Sequence, residues 1–244
     1  MYRFASLKKL LSLASKNKEE MDIIDPYISE NVSDSVIDKV IDLWAFADNS
    51  MGSLTRVKER AAQLGFGWAG SGAYRFVVEI SPSLVAKIQY NREGYMMNEE
   101  EYTHQDLFID HFPRVYGHGK GAEGDGFGWL IMEKVNVISP DDAKEMLKWF
   151  PELSQDMLTL QDYYGISLAL DGVDEFDAFV MLLDPCIKGG DIEGHMDEFS
   201  IYKNKTFISI CTAIAAIDGV DVGDLRGGNL GWSGNRFLII DSSL

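Results

Sequence analysis

The sequence predicts an α+β protein, from two changes in its hydrophobic periodicity. Residues 1–65 carry apolar side chains at helical spacing, residues 66–135 break into short β-rich runs separated by turn residues, and residues 136–244 return mostly to helical spacing. No internal repeat or low-complexity linker divides the chain, and 244 residues with 46% hydrophobic content suffice for a substantial core.

In the first stretch, Phe4–Leu13 reads as an amphipathic helix, since Lys8 and Lys9 interrupt it where a signal peptide would be continuously apolar. Ile37, Val40, Ile41 and Trp44 share one helix face after a capping Ser33, and Leu54, Val57, Ala61 and Leu64 form a second stripe. From Phe66 the expected strands are Phe66–Ala69, Phe76–Ile80 and Leu84–Ile88, the last two joined by Ser81-Pro82-Ser83. Glu93–Phe112 reads as a helix ending before Pro113, followed by strands at Arg114–Tyr116 and Trp129–Val135 with a solvated turn, Gly117–Gly128, between them. Ser139-Pro140-Asp141-Asp142 combines an N-cap, a proline at the first helical position and two acids, so a helix is expected to start there. Phe176, Phe179, Val180 and Leu183 give a helical stripe that Pro185 should stop, and Phe207, Ile210, Cys211 and Ile214 give another that Gly219 should stop. Asn229–Trp232 and Arg236–Ile240 flank Ser233-Gly234-Asn235 as a final hairpin.

The segment LGFGWAGSGAYRFVVEI, Leu64–Ile80, contains a literal G-x-G-x-x-G at Gly65, Gly67 and Gly70. A dinucleotide fingerprint needs a strand before the glycines and a helix after them, and here that order is reversed. Gly65 then serves as a helix terminator and Gly67 as a strand irregularity. Gly70, Ser71 and Gly72 fall in the turn between two strands, where backbone N–H groups can fold over phosphates without side-chain obstruction. Downstream, Leu84-Val85-Ala86-Lys87-Ile88 places one lysine inside an apolar strand, where an unpaired ammonium is costly, so Lys87 requires an anionic partner.

Asp224-Leu225-Arg226-Gly227-Gly228-Asn229 and Asp241 complete an ordered set: glycine-rich hairpin, strand lysine, helix acid, D-x-x-x-x-N, and an aspartate at a strand end. That order resembles the protein-kinase-like superfamily from about Gly65 to Asp241. The resemblance implies a two-lobed fold, with a helical N-terminal extension over 1–65, a sheet-rich N-lobe over 66–135 and a truncated helical C-lobe over 136–244. It implies ATP and Mg²⁺ as cofactors, with Gly70, Ser71, Gly72 and Lys87 on the phosphates. It also implies a helix acid pairing Lys87, for which Glu101 is favoured over Glu99 and Glu100. Met132 would precede a hinge whose Glu133 and Val135 backbone faces adenine. In the loop, Asp224 would accept the proton of an attacking hydroxyl and Arg226 would neutralise charge on the transferred phosphoryl, while Asn229 and Asp241 would hold the metal.

The sequence departs from the protein-kinase pattern at Val222-Gly223-Asp224, where that family has H-R-D, and at Asp241-Ser242-Ser243, where it has D-F-G. The G-D-L form is similar to loops of small-molecule kinases, whereas the short chain after Asp241 resembles the compact early serine/threonine kinases of bacteriophages. The implied function is a Mg-ATP-dependent serine/threonine protein kinase. The alternatives are an aminoglycoside-type small-molecule kinase and an inactive acidic binding protein. The net charge of −17 disfavours nucleic acid and anionic membrane and favours a basic protein substrate. Two widely separated cysteines, Cys186 and Cys211, and four histidines without metal-ligand spacing point to a reduced cytoplasmic protein, in a host cytoplasm if phage-encoded.

Overall fold

The computed structural model describes residues 32–48, 53–108, 110–120, 126–165, 172–188, 198–215, 222–225 and 227–240. Phe4–Leu13, residues 121–125 and Gly219 lie outside them; the rest of the expected Gly117–Gly128 turn is mostly strand, at Gly117–Lys120 and Phe127–Gly128, because these residues pair in the sheet. The chain divides into two units, one drawn from residues up to Leu107 with Pro113–Lys134, the other from Phe108–Phe112 with Val135–Ser242. Among the described residues, no helix is long and apolar enough to cross a membrane.

In the first unit, the carbonyl of Ser33 accepts the amides of Val36 and Ile37 and opens α1, Asp34–Asp48. A second helix, α2, Leu54–Gln63, ends where Gly65 takes φ +83°, a conformation that glycine adopts at least cost. Five antiparallel strands follow: β1 Gly67–Ser71, β2 Arg75–Ser81, β3 Leu84–Gln89, β4 Val115–Lys120 and β5 Phe127–Glu133, in the order β1-β2-β3-β5-β4. The helix α3, Arg92–Leu107, lies between β3 and β4 in sequence. Alternation along the strands sends two sets of side chains to opposite faces. Phe76, Val78, Ala86, Ile88, Trp129 and Ile131 pack with the apolar faces of α1 and α2, while Val85, Leu130, Met132 and Val115 pack with Tyr102 of α3. The predicted N-terminal helices are therefore a cover for one sheet face. The helix expected over Glu93–Phe112 stops at Leu107, because Phe108 and Phe112 pack in the core of the other unit.

The second unit has a three-stranded antiparallel sheet of β6 Asn136–Val137, β7 Leu230–Ser233 and β8 Arg236–Ile239. Its helices are α4 Met146–Trp149, α5 Leu153–Tyr164, α6 Glu175–Lys188 and α7 Lys205–Ala215. Phe150, Phe179, Phe207 and Phe237 centre the core, with ring centroids 4.9 Å apart for Phe150 and Phe237 and 5.4 Å for Phe179 and Phe207. The buried Asp156 of α5 accepts the amides of Ser200 and Ile201 and so fixes the short turn of helix before α7.

Two sequence expectations fail here. Ser139 does not begin a helix: its hydroxyl accepts the Asp141 amide in a turn, and regular helix starts only at Met146. Ile138 is tied to Leu230 of β7, and Gly227 sits so close that an added Cβ would lie 2.5 Å from the Pro140 Cα, which holds this segment against the sheet. Nor does Pro185 stop α6, which runs on to Lys188. A late proline forfeits one backbone hydrogen bond, whereas Phe179, Leu182, Leu183 and Pro185 itself are buried and hold the helix.

Candidate active site

In the first unit, Lys87 stands on β3 and its ammonium is paired with Oε1 of Glu101 on α3. Lys87 is 6% exposed and Glu101 1%, so neither charge can rely on water, and each requires a charged partner. Glu99 and Glu100 on the same helix are exposed. The other oxygen of Glu101 is held by Nη1 of Arg75 at 2.8 Å, and the same nitrogen donates to Oδ1 of Asn98 at 3.2 Å. Asn98 in turn donates to the Phe127 carbonyl at 2.9 Å, which ties α3 to β5. Arg75 and Asn98 were not singled out from the sequence. The missed signal was alternation: with β2 started at Arg75, residues 75, 77 and 79 share the face that carries Lys87.

The glycine hairpin differs in detail from expectation. Gly70 and Ser71 are not in the turn but on β1, opposite Val77 and Phe76, and a bulge at Ala69 shifts the register. The turn itself is Gly72-Ala73-Tyr74. The Gly72 amide donates to the Arg75 carbonyl at 2.8 Å, and its carbonyl accepts the Tyr90 hydroxyl. Neither Gly70 nor Gly72 has a positive φ. A Cβ on Gly70 would meet nothing within 4 Å, and one on Gly72 only the Arg75 carbonyl at 4.0 Å. The fold by itself does not require glycine at either position.

Met132 is buried on β5 opposite Val85 and Val115. The Glu133 amide donates to the Arg114 carbonyl at 2.8 Å. Glu133 belongs to the first unit and Val135 to the second.

In the second unit, Val222–Asp224 forms a single 3₁₀ turn anchored by the buried Val222 and Leu225. The side chain of Asp224, and Arg226 and Asp241 entirely, lie outside the described residues. The glycines of this loop have structural reasons of their own: Gly227 is pressed against Pro140, and Gly228 has φ +98° while its amide donates to the Ile138 carbonyl. The Asn229 carbonyl accepts the amide of Ile240 at 2.8 Å, so the chain holds Asn229 beside the residue preceding Asp241. An amide oxygen and a carboxylate are the hard donors that Mg²⁺ prefers, and the residue types at 229 and 241 fit it. Among the described residues, no group of three or more His, Cys, Asp or Glu could hold a metal.

No family model and no curated protein matches the chain. Solved structures that align with it include a streptomycin-ATP-APH(2")-IIa ternary complex, at 15% identity over 78% of this chain and 70% of that one, with a TM-score of 0.33. The GDP and kanamycin complex of APH(2")-IIia aligns at 16% identity over 78% and 72%, with a TM-score of 0.37. ADP-bound aminoglycoside phosphotransferase APH(2'')-Ib aligns at 16% identity over 78% and 70%, with a TM-score of 0.33.

Proposed function

We propose that the chain is an ATP-dependent phosphotransferase that uses Mg²⁺ and delivers the γ-phosphoryl to a hydroxyl of a cationic acceptor. The observation that carries this reading is the buried Lys87–Glu101 pair on the sheet face behind a glycine hairpin. In this role Lys87 grips phosphate oxygens, with Glu101 fixing its ammonium, and Gly70, Ser71 and Gly72 admit the phosphates close to backbone. The Glu133 carbonyl and the Val135 amide hold the base. Asp224 takes the proton from the acceptor hydroxyl as its oxygen bonds phosphorus and the bond from phosphorus to the ADP oxygen breaks, while Arg226 offsets the charge on the transferred group. Asn229 and Asp241 would hold Mg²⁺, which neutralises phosphate charge when bound.

For the acceptor, we place a small aminated polyhydroxyl compound ahead of a protein serine or threonine. Support comes from the Gly223-Asp224-Leu225 form of the loop and from a recess of about 400 Å³ in which Asp141, Asp142, Asp174 and Glu175 outweigh the single cation Lys144, and whose Pro140 abuts Gly227 of that loop. The net charge of −17 favours the second acceptor class, a basic protein. The test is γ-labelled ATP with Mg²⁺, offered aminoglycosides in one arm and a bacterial lysate in the other. Label in the aminoglycoside fraction is the expected result. Label in a protein band instead would favour the protein-kinase reading, and no transfer with no ATP-dependent rise in melting temperature would favour an inactive binding protein.

A further inference from the structure

We infer that Arg75 is a positioning residue, a second cation on Glu101 that ties the glycine turn to the Lys87–Glu101 pair and sets nucleotide affinity through Glu101. The inference rests on the proposed phosphotransferase reading. On the sheet, Val77 is the cross-strand partner of Lys87 and Arg75 that of Gln89, so Arg75 and Lys87 are diagonal neighbours on one face. Two buried cations at that spacing repel unless an anion stands between them. Glu101 is that anion, giving one carboxylate oxygen to each. Asn98, one helical turn before Glu101, accepts from the same guanidinium nitrogen and fixes its direction.

Arg75 is also the first residue after the turn. Its carbonyl receives the Gly72 amide, the Tyr74 carbonyl receives the Tyr90 amide at 3.2 Å, and the Gly72 carbonyl receives the Tyr90 hydroxyl. Gly94, in the first turn of α3, lies so near that a Cβ there would be 2.6 Å from the Tyr74 carbonyl oxygen. The turn, the end of β3 and the start of α3 thus form one closed set of contacts, and Arg75 links that set to Glu101. Loss of its charge leaves Glu101 on Lys87 alone and frees the turn to shift with α3.

Mg-ATP affinity measured by calorimetry on the full chain tests this, using wild type, Arg75→Met, Arg75→Lys, Arg75→Gln, Glu101→Gln and the Arg75→Met/Glu101→Gln double variant, each checked by thermal melting. Arg75→Met is expected to weaken binding about tenfold in the wild-type background and less than about twofold in the Glu101→Gln background, since coupled residues are non-additive. Arg75→Lys, which keeps the charge, should restore affinity to within about threefold of wild type. Equal losses in both backgrounds would mean that Arg75 touches the nucleotide directly, and unchanged affinity would mean that it only stabilises the fold; either overturns the inference. If Arg75→Met does not fold, Arg75→Lys against Arg75→Gln decides, and equal affinities overturn it. Absence of Mg-ATP binding by wild type would sink the phosphotransferase reading itself, and this inference with it.

Discussion

His118 makes stability depend on pH in a way that can be worked out from its surroundings. It lies on β4, 8% exposed, with its ring 4.1 Å from Phe127 and 4.6 Å from Tyr102 of α3. Burial pushes its pKa down to about 4, against about 6.5 for an unfolded chain. Between those values the unfolded chain takes a proton that the folded one refuses. The stabilisation is therefore complete above about 6.5, is lost as pH falls through about 4, and does not change further well below that. A gap of about 2.5 pH units at roughly 1.4 kcal/mol each amounts to about 3–4 kcal/mol, of which about 3 kcal/mol is lost by pH 4, where the folded ring is half protonated. The assay is urea unfolding followed by tryptophan fluorescence from pH 7.5 to 4, on wild type and on His118→Phe, which keeps an aromatic ring but cannot titrate. His111, lowered by burial with Asp110 opposing and Arg236 adding, has the same sign and is common to both proteins. The difference between the two curves therefore isolates His118. Wild type should lose about 3 kcal/mol relative to the variant across this range, and parallel curves would refute the reasoning.

Gly70→Ala and Gly72→Ala should each leave stability within about 0.5 kcal/mol, since an added Cβ has room, yet weaken Mg-ATP binding; a large drop in melting temperature would show that the glycines serve the fold. Gly126→Ala should cost roughly 2–4 kcal/mol in urea unfolding, because φ is +86° and the Cβ would sit 2.4 Å from the Tyr95 carbonyl oxygen. Gly165→Ala, at φ +63° in open space, should cost only about 1 kcal/mol. Gln89 is fully buried and, among the described residues, neither atom of its amide finds a hydrogen-bond partner, so Gln89→Leu should raise stability by about 1–3 kcal/mol; a fall in melting temperature would mean that the amide is used.

Where a segment's own pattern decided its structure, the sequence was a good guide. The stripes of α1 and α2, the hairpin β2–β3 and the closing hairpin β7–β8 each bury the residues that their periods select. Lys87 was legible because one charge in an apolar strand demands a partner, and that partner is Glu101 on the following helix. What escaped depended on distant contacts. Ser139 has every local feature of a helix start, yet Gly227, far along the chain, holds Pro140 against the second sheet. Pro185 has the local signature of a stop, and the buried side chains around it override the loss of one hydrogen bond. Gly70 and Ser71 looked like turn residues because a glycine pair reads as a turn, but pairing with Val77 and Phe76 keeps them in the strand.

The presence of arginine at position 75 follows from what the proposed function asks of Lys87. A lysine that grips phosphate must share its charge between ligand and carboxylate. With Lys87 as the only cation, any drift of the ammonium towards phosphate would strand a carboxylate that is 1% exposed, and an uncompensated buried charge costs several kcal/mol. Arg75 on the second oxygen removes that conflict, because Glu101 keeps a charged partner whichever way Lys87 leans. A lysine at 75 would supply the charge on a flexible stem as a strongly hydrated point charge, whereas the flat, more weakly hydrated guanidinium suits a buried pair, and its Nη1 reaches both the Glu101 carboxylate and the Asn98 side-chain oxygen. The direction of the cation is therefore fixed by two residues of α3, itself tied to β5 through Asn98, so the acid is held by the sheet independently of the lysine it serves.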